Sequence, residues 1–227
     1  MKYEFLLIDA DDTLFDFQNT AKLAFKQTMK KLNVPYEDSL YPIYAKINQD
    51  LWDLYSLGKV SKQILKVKRF VDFGKEIGVE IDSQKAIPLY EEELSKTAIL
   101  INGAEETLSK LKSLPVKLYI ITNGTASVQR GRLALSGLDK YFDGIFISDE
   151  IGYSKPAKEF LNFVKDKIDG FCESLALIIG DSLVSDIPLG LENGIDVCLY
   201  NPNNIKVNLP INYQIDDLLQ ILDVVKK

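Results

Sequence analysis

The stretch FLLIDADDTLFDF, residues 5–17, decides the fold, because a fully apolar run passes directly into a group of acids. The run FLLI is apolar throughout, which is typical of a strand that is covered on both faces in a parallel sheet. Asp9, Asp11 and Asp12 follow it at once. A carboxylate placed directly behind such a strand is partly buried, which is costly unless a partner or a function requires it. The stretch therefore predicts a central parallel strand that ends at a functional site.

Four further short apolar runs, rich in β-branched residues, predict the other strands of this sheet: 116–121, 144–147, 175–179 and 195–200. Helical patterns separate the later runs, so strand and helix alternate from about residue 98 onward. The final segment IDDLLQILDVVKK has the pattern of a closing helix. This alternation predicts an α/β fold with a doubly wound, Rossmann-like parallel sheet.

The chain between the first strand and the rest of the sheet has a different character. It shows no strand signal, and its periodicity predicts four helical blocks: 17–33, 40–57, 61–78 and 83–97. The breaks between the blocks carry Pro or Gly and good N-cap residues such as Ser61. We therefore predict an α/β core formed by residues 1–15 and 98–227, with an all-helical insertion, a small bundle, at residues 16–97.

Composition and charge exclude several classes of function. The 227 residues are 46% hydrophobic and 26% charged, with a formal net charge of -6 and no basic stripe. These values are ordinary for a globular protein, and they disfavour nucleic acid polymers and anionic membranes as partners. The chain has no histidine, which removes Ser-His and Cys-His catalysis. Acid–base chemistry must therefore fall to Asp, Glu, Lys or Tyr.

The sequence also predicts a cytoplasmic protein. No apolar run approaches the roughly 18 residues that a membrane-spanning helix needs. The short apolar start of the chain is interrupted by Glu4 and Asp9, which is unlike a signal peptide. Cys172 and Cys198 lie in or beside apolar segments, and we interpret them as buried free thiols of a reducing compartment.

Polar residues follow the first four predicted strands, and ligands collect at the carboxyl ends of the strands in open α/β sheets. Each of these residues alone has a bland interpretation as a helix cap, an Asx-turn or a Pro at a helix start. Their order and spacing together predict a single site. The residues, in the order of the strands, are Asp9, Asp11 and Thr13; Thr122, Asn123 and Gly124; Lys155 and Pro156; and Asp181 and Asp186.

These loops resemble the four motifs of the haloacid dehalogenase-like (HAD) hydrolase superfamily. DADDT resembles its nucleophile loop, ITN its second motif, SKP its third and IGDSLVSD its acidic fourth. The stretches DADDTLF, LWDLYSLG, ITNG, GLDKYFD and IGDSLVSDI further resemble the YjjG/YfnB-type 5'-nucleotidases of that superfamily. The resemblance spans the whole chain and implies that residues 16–97 are the helical cap of the family.

The resemblance implies a magnesium ion as the cofactor. Two carboxylates about 4 Å apart repel by roughly 4 kcal/mol at an effective dielectric near 20, so acids that face a phosphate need a cation. Mg²⁺ suits oxygen ligands and bridges carboxylate to phosphate. On the family pattern Asp9, the backbone carbonyl of Asp11, and Asp181 hold the ion, and Asp186 orients the ligands.

The resemblance also implies a role for each catalytic residue. Asp9 attacks phosphorus and forms an aspartyl-phosphate, and Asp11 protonates the leaving oxygen and then activates water. Thr122 and the backbone amide of Asn123 bind phosphoryl oxygens, while Lys155 offsets the charge of the transferring group.

The resemblance implies that the substrate is a small-molecule phosphate ester, namely a nucleoside 5'-monophosphate. Among these, we expect the enzyme to favour nucleotides with a small pyrimidine base. Base–aromatic stacking contributes about 1–3 kcal/mol, and Phe15 and Trp52 are our candidates for that contact. The aromatic residues of the insertion can equally form the core of a small bundle. A phosphatase or phosphomutase for small sugar phosphates would share every core motif. A phospho-acceptor switch is disfavoured, since receiver domains lack the insertion and the fourth motif. The oligomeric state stays open.

Overall fold

The computed structural model describes residues 1–226 and contains two compact units. Met1–Phe17 and the chain from Ile99 onward form the first, which we call the α/β unit. Gln18–Ala98 forms the second, which we call the helical unit.

The α/β unit is built on one six-stranded sheet in which every pair of neighbouring strands is parallel. The strand order across the sheet is β3-β2-β1-β4-β5-β6. The strands are β1 (Phe5–Ile8), β2 (Lys117–Thr122), β3 (Gly144–Ile147), β4 (Ala176–Gly180), β5 (Asp196–Tyr200) and β6 (Tyr213–Ile215).

The helices of the chain, with their bounds, are α1 (Phe17–Lys31), α2 (Tyr41–Ser56), α3 (Lys62–Glu76), α4 (Ser83–Ser95), α5 (Ala104–Leu111), α6 (Ala126–Ser136), α7 (Ser148–Ile151), α8 (Lys158–Lys167), α9 (Asp186–Leu191) and α10 (Ile221–Lys226). Short 3₁₀ turns lie between some of them. None of the helices in residues 1–226 is both long and apolar enough to cross a membrane.

The order of the strands reverses direction at the centre of the sheet. The chain runs from β1 to β2 and β3 on one side, then returns to β4 beside β1 and continues to β5 and β6. Ile8 is aligned with Ile120 of β2 and with Ile179 of β4. The loops that leave these three strands therefore start at one edge, at the switch point where open α/β sheets bind ligands. The predicted doubly wound α/β fold is confirmed.

Burial explains why the strands are almost continuously apolar. All four residues of β1 and all five of β4 are buried. One face of the sheet contributes Phe5, Leu7 and Ile178 to an apolar cluster that includes Phe160 and Val164 of α8. Because helices cover the sheet, strands of this kind have no face on which polar residues could alternate with apolar ones.

Aromatic side chains form the core of the helical unit. The ring of Phe25 stacks on that of Tyr44 at a centroid distance of 3.8 Å, and Phe73 and Tyr90 pack edge-on against the same ring. All four are buried. Tyr44, one of the aromatic residues of the predicted insertion, thus belongs to the bundle core. The helices α1 to α4 begin and end within about two residues of the predicted blocks.

Three local expectations need correction. The sequence analysis missed β6, a short edge strand in which polar and apolar residues mix. The closing helix begins later than expected: Asp217 accepts a hydrogen bond from the amide of Leu219 and starts a 3₁₀ turn, and α10 follows. Lys227 lies outside the described residues. Both cysteines are free, but only Cys198 is buried, whereas Cys172 is partly exposed.

Candidate active site

The loop after β1 folds back tightly on itself at the carboxyl edge of the sheet. Asp9 continues the line of the strand and donates its amide to the carbonyl of Ile179 at 2.8 Å. The amides of Leu14 and Phe15 both bond to the carbonyl of Ala10. Asp9 is left with its carboxylate buried at the end of β1.

Asp12 occupies the turn of this loop. Its φ of 56° lies in the left-handed region, which a Gly would adopt without steric cost. Phe17 is the first residue of α1, and its amide donates a hydrogen bond to the Asp12 carboxylate at 3.0 Å. An acceptor at a helix N-terminus satisfies an otherwise unpaired amide, so Asp12 has a local structural function.

Lys155 enters the site from the loop that follows β3 and α7. Its Nζ lies 2.5 Å from Asp9 Oδ1, 2.6 Å from Asp186 Oδ1 and 2.8 Å from the carbonyl of Ile121. The side chain of Asn123 holds the backbone of Lys155 from both sides: Oδ1 accepts from the Lys155 amide at 2.8 Å, and Nδ2 donates to its carbonyl at 2.9 Å. The ammonium is therefore fixed between two carboxylates.

Burial and charge act in opposite directions on Lys155. Burial alone would lower its pKa, but the carboxylates of Asp186 and Asp9 outweigh that effect and hold the pKa above its usual range. Lys155 is 1% exposed and Asp186 is fully buried, so water does not screen this pair. The two carboxylates thus favour the charged form of the lysine.

Two acids come from the loop after β4 and the start of α9. Asp186 accepts the amide of Ser182 at 3.1 Å, in addition to its contact with Lys155. Asp181 lies beside Thr13, whose hydroxyl donates to Asp181 Oδ1 at 3.4 Å. Gly180 is required at the end of β4, because a Cβ there would come within 2.3 Å of Asp186 Oδ2.

Three carboxylate oxygens lie within 4.8 Å of one another, one each from Asp9, Asp181 and Asp186. We call these three residues the acid cluster. Burial, followed by the charges of Asp9 and Asp186, raises the pKa of Asp181 well above its usual range. Burial likewise raises the pKa of Asp9, and the nearby Lys155 offsets only part of the effect. Three carboxylates face one ammonium, which leaves negative charge that a hard cation can neutralise.

The carboxylate of Asp11 contacts two side chains of α6. Arg132 Nη1 contacts one oxygen of its carboxylate, and Gln129 Nε2 donates to the other at 2.6 Å. The same Gln129 Nε2 lies 3.0 Å from the hydroxyl of Thr122. Thr122 Oγ1 also accepts the amide of Gly124 at 3.1 Å. One face of α6 therefore connects two of the predicted site residues.

Gln129 and Arg132 were missed by the sequence analysis. They are completely buried although both are polar, and they lie three positions apart in the segment ASVQRGRLALS. The signal that could have revealed them is their spacing: Arg132 lies four positions after Val128, and Gln129 lies four positions before Leu133, so each shares a helix face with an apolar residue. Polar side chains on the buried face of a helix need partners, and here the partners are site residues.

The two residues predicted to contact a base differ in their surroundings. Phe15 is fully buried, and the guanidinium of Arg132 covers its ring at 4.4 Å. In this structure Phe15 packs against Arg132 and offers no exposed ring surface to a base. Trp52 belongs to the helical unit, where it is half-buried in α2 and packs edge-on against Tyr55 at 5.6 Å.

Known proteins share both the sequence and the fold of this chain. YfnB of Bacillus subtilis is 38% identical over 209 residues, which cover 92% of this chain and 88% of that protein. The pyrimidine 5'-nucleotidase PynA of Streptococcus pneumoniae is 36% identical and matches 98% of this chain and 96% of its own length. The magnesium-bound crystal structure of YfnB superposes with a TM-score of 0.93, at 36% identity and 100% coverage of both chains.

A match to a whole family agrees with these individual similarities. Residues 6–200 match the haloacid dehalogenase-like hydrolases, a span that runs from the second residue of β1 to the end of β5 and contains all the residues of the site described above. The resemblance inferred from the four loop motifs is therefore confirmed. With its fold and its relatives in agreement with this match, the chain belongs to the haloacid dehalogenase-like hydrolase family.

Proposed function

We propose that this protein is a magnesium-dependent phosphatase that hydrolyses nucleoside 5'-monophosphates, preferably pyrimidine ones, through an aspartyl-phosphate on Asp9. The observation that carries the proposal is the arrangement around Asp9. Its buried carboxylate lies at the carboxyl end of the central strand, in contact with Lys155 and beside two further acids. The similarity to PynA, a pyrimidine 5'-nucleotidase, supports a pyrimidine nucleotide as the substrate.

The donor set suits a magnesium ion. Asp9 and Asp181 would hold it together with the backbone carbonyl of Asp11, and Asp186 would orient the ligands. All three side chains are carboxylates, the ligand type that Mg²⁺ prefers, and their charge exceeds that of Lys155. The bound ion would neutralise the carboxylates and polarise a phosphoryl oxygen. The magnesium-bound structure of YfnB supports this choice of metal.

Asp9 is the proposed nucleophile. A carboxylate oxygen of Asp9 forms a bond to phosphorus while the bond from phosphorus to the ester oxygen breaks. The departing oxygen takes a proton from Asp11 and leaves as the nucleoside. Asp11 then accepts a proton from water as the water oxygen bonds to phosphorus, and the bond between Asp9 and phosphorus breaks. Inorganic phosphate is released, and both carboxyl groups return to their starting states.

The remaining site residues stabilise the phosphoryl group. The hydroxyl of Thr122 already accepts two hydrogen bonds, so its own hydrogen is the group left to donate to a phosphoryl oxygen. The amide of Asn123 supplies a second donor in this proposal. The ammonium of Lys155 offsets charge that develops in the transition state, in a buried setting where charge interactions are strong.

The helical unit is the proposed cap, corresponding to residues 16–97 of the predicted division, with residues 1–15 and 98–227 as the core. The core residues described above recognise only a phosphate group, so the nucleoside must be selected by other residues. Trp52 is the proposed contact for the base, because a half-buried indole offers a flat apolar surface.

The substrate is tested by kinetics with magnesium present. We expect kcat/KM for uridine or thymidine monophosphate to exceed that for a hexose phosphate by about tenfold or more. Trp52→Ala should lower kcat/KM for the nucleotide about tenfold, since stacking is worth about 1–3 kcal/mol, and should leave the hexose phosphate unchanged. Leu57→Ala, an exposed apolar residue directly after the same helix, is the matched control. A preference for hexose phosphates would overturn the nucleotidase proposal and leave the phosphatase core intact.

A further inference from the structure

The carboxylate of Asp11 is held at both of its oxygens by one helix. Arg132 contacts Oδ1, and Gln129 donates to Oδ2 at 2.6 Å. The two residues lie three positions apart in α6, so they project from the same face of the helix. Asp11 itself is only partly buried, with 27% of its side chain exposed. Its orientation is therefore set by two donors that are themselves completely buried.

Arg132 is fixed by its surroundings. Its guanidinium lies 4.4 Å from the centre of the Phe15 ring and 5.7 Å from that of Phe17. Among residues 1–226, its Nε and Nη2 have no hydrogen-bond partner, and Asp11 is the carboxylate with which it pairs. A buried guanidinium without further polar partners is costly, so the contact with Asp11 is the ion pair that offsets this cost.

Gln129 links Asp11 to the neighbouring strand. Its Nε2 is shared between Asp11 Oδ2 and the Thr122 hydroxyl, at 2.6 Å and 3.0 Å. Gly124 provides the space for this side chain, because a Cβ at position 124 would come within 2.2 Å of Gln129 Nε2. One amide nitrogen thus contacts both Asp11, the proton donor of the proposed reaction, and Thr122, which binds phosphate in that reaction.

We propose that Gln129 and Arg132 are positioning residues that hold the carboxyl group of Asp11 in line for proton transfer to the leaving oxygen. This inference rests on the proposed function for the role of Asp11. Neither residue contacts the substrate in this proposal; both act through the carboxyl group of Asp11. Their effect should appear where protonation of the leaving group limits the rate, and it should be small for a leaving group that departs without a proton.

The first test compares two substrates on Arg132→Met, which keeps the volume of the side chain and removes its charge. We expect kcat for a nucleoside monophosphate, a poor leaving group, to fall at least about tenfold more than kcat for p-nitrophenyl phosphate. Added guanidinium ion should restore part of the lost rate in Arg132→Ala. Arg130→Met is the matched control, because Arg130 lies on the same helix but pairs with Glu150 at the surface. It should leave both rates unchanged.

Gln129→Leu provides the second variant if Arg132→Met does not fold. It retains Arg132 and should show the same difference between the two substrates. Equal losses on both substrates, or no loss on either, would overturn the inference. Such a result would leave the phosphatase proposal standing, because that proposal is judged on the wild-type protein.

A stability measurement tests the same contact without any turnover. The melting temperatures of Asp11→Asn, Arg132→Met and the double variant form a cycle, since the two side chains contact each other directly. We expect the double variant to lose less than the sum of the two single losses, because a partner that has already been removed cannot be lost again. Additive losses would overturn the inference, whatever the substrate of the enzyme.

Discussion

The ammonium of Lys155 lies 2.5 Å from the carboxylate of Asp9, and both groups are buried. The same nitrogen contacts Asp186 at 2.6 Å, so a single cation serves two buried acids. Isolated charges of one sign in such a place would be strongly unfavourable. Lys155 therefore offsets part of the negative charge of the buried acids, and we expect this pairing to contribute to the stability of the core as well as to the proposed chemistry.

Removal of the Lys155 charge should destabilise the folded protein. In metal-free buffer, we expect Lys155→Met to lower the free energy of unfolding by about 3–5 kcal/mol, because two buried carboxylates lose their partner. Denaturant unfolding followed by circular dichroism measures this change. Lys165→Met is the control, since Lys165 pairs with Glu173 at a partly exposed position and such pairs contribute about 0–1 kcal/mol. Equal losses in the two variants would contradict the view that Lys155 neutralises the site.

Asp9→Asn should fold normally, and its kcat should fall at least about a hundredfold. Asn has the same shape as Asp, but its neutral amide cannot act as the carboxylate nucleophile. Its amide oxygen can still accept the hydrogen bond from Lys155 that Asp9 Oδ1 accepts now. Release of inorganic phosphate by the purified variant measures the loss. Asp166→Asn, an exposed acid of α8, is the control and should retain full activity. A variant at position 9 with a tenth of the wild-type rate would rule out Asp9 as the nucleophile.

Magnesium should stabilise the protein as well as activate it. A ligand that binds only the folded state adds about 2.7 kcal/mol at a hundredfold excess over its Kd, so the melting temperature should rise with magnesium concentration. Asp181→Asn removes one member of the acid cluster and should lose most of this rise, whereas Asp166→Asn should keep it. Turnover should vanish in excess chelator and recover poorly with calcium, whose coordination is looser. A flat melting temperature together with full activity in chelator would refute a magnesium site.

Much of the fold could be predicted because it depends on local patterns. Continuous apolar runs marked the strands that are buried on both faces, and the change from such runs to helical periodicity marked the helical blocks. The edge strand β6 was missed for the same reason, since its three residues are not continuously buried. Short edge strands carry little hydrophobic signal, and their pairing is decided by the neighbouring strand.

The candidate site shows where sequence patterns stop being sufficient. Asp9 and Asp181 directly follow β1 and β4, so topology alone places them at one edge of the sheet, and Lys155 lies in the connection that leaves β3 through α7. Gln129 and Arg132 lie in the middle of a helix, and only the packing of α6 brings them to Asp11. The burial of Phe15 beneath Arg132 likewise depends on a contact across 117 residues of sequence (132 minus 15). Contacts of that kind leave no periodic mark in the chain.

Gly180 should be irreplaceable because of its closeness to Asp186. A Cβ at position 180 would lie 2.3 Å from Asp186 Oδ2 and 2.4 Å from its Cγ, so the aspartate would have to move. Such a movement would break its contacts with Lys155 and with the amide of Ser182. We therefore expect Gly180→Ala to lower the free energy of unfolding by about 1–3 kcal/mol, the usual cost of overpacking, and to reduce the magnesium-dependent rise in melting temperature.

A double-mutant cycle separates this steric effect from a general weakening of β4. Asp186→Gly removes the side chain with which the new methyl group would collide, so Gly180→Ala should cost clearly less in that background than in the wild-type protein. Denaturant midpoints of the four proteins give the coupling. If the two losses simply add, the methyl group acts on the strand and not on Asp186. If they fall short of additivity, the absence of a side chain at position 180 is what allows Asp186 to reach the ammonium of Lys155.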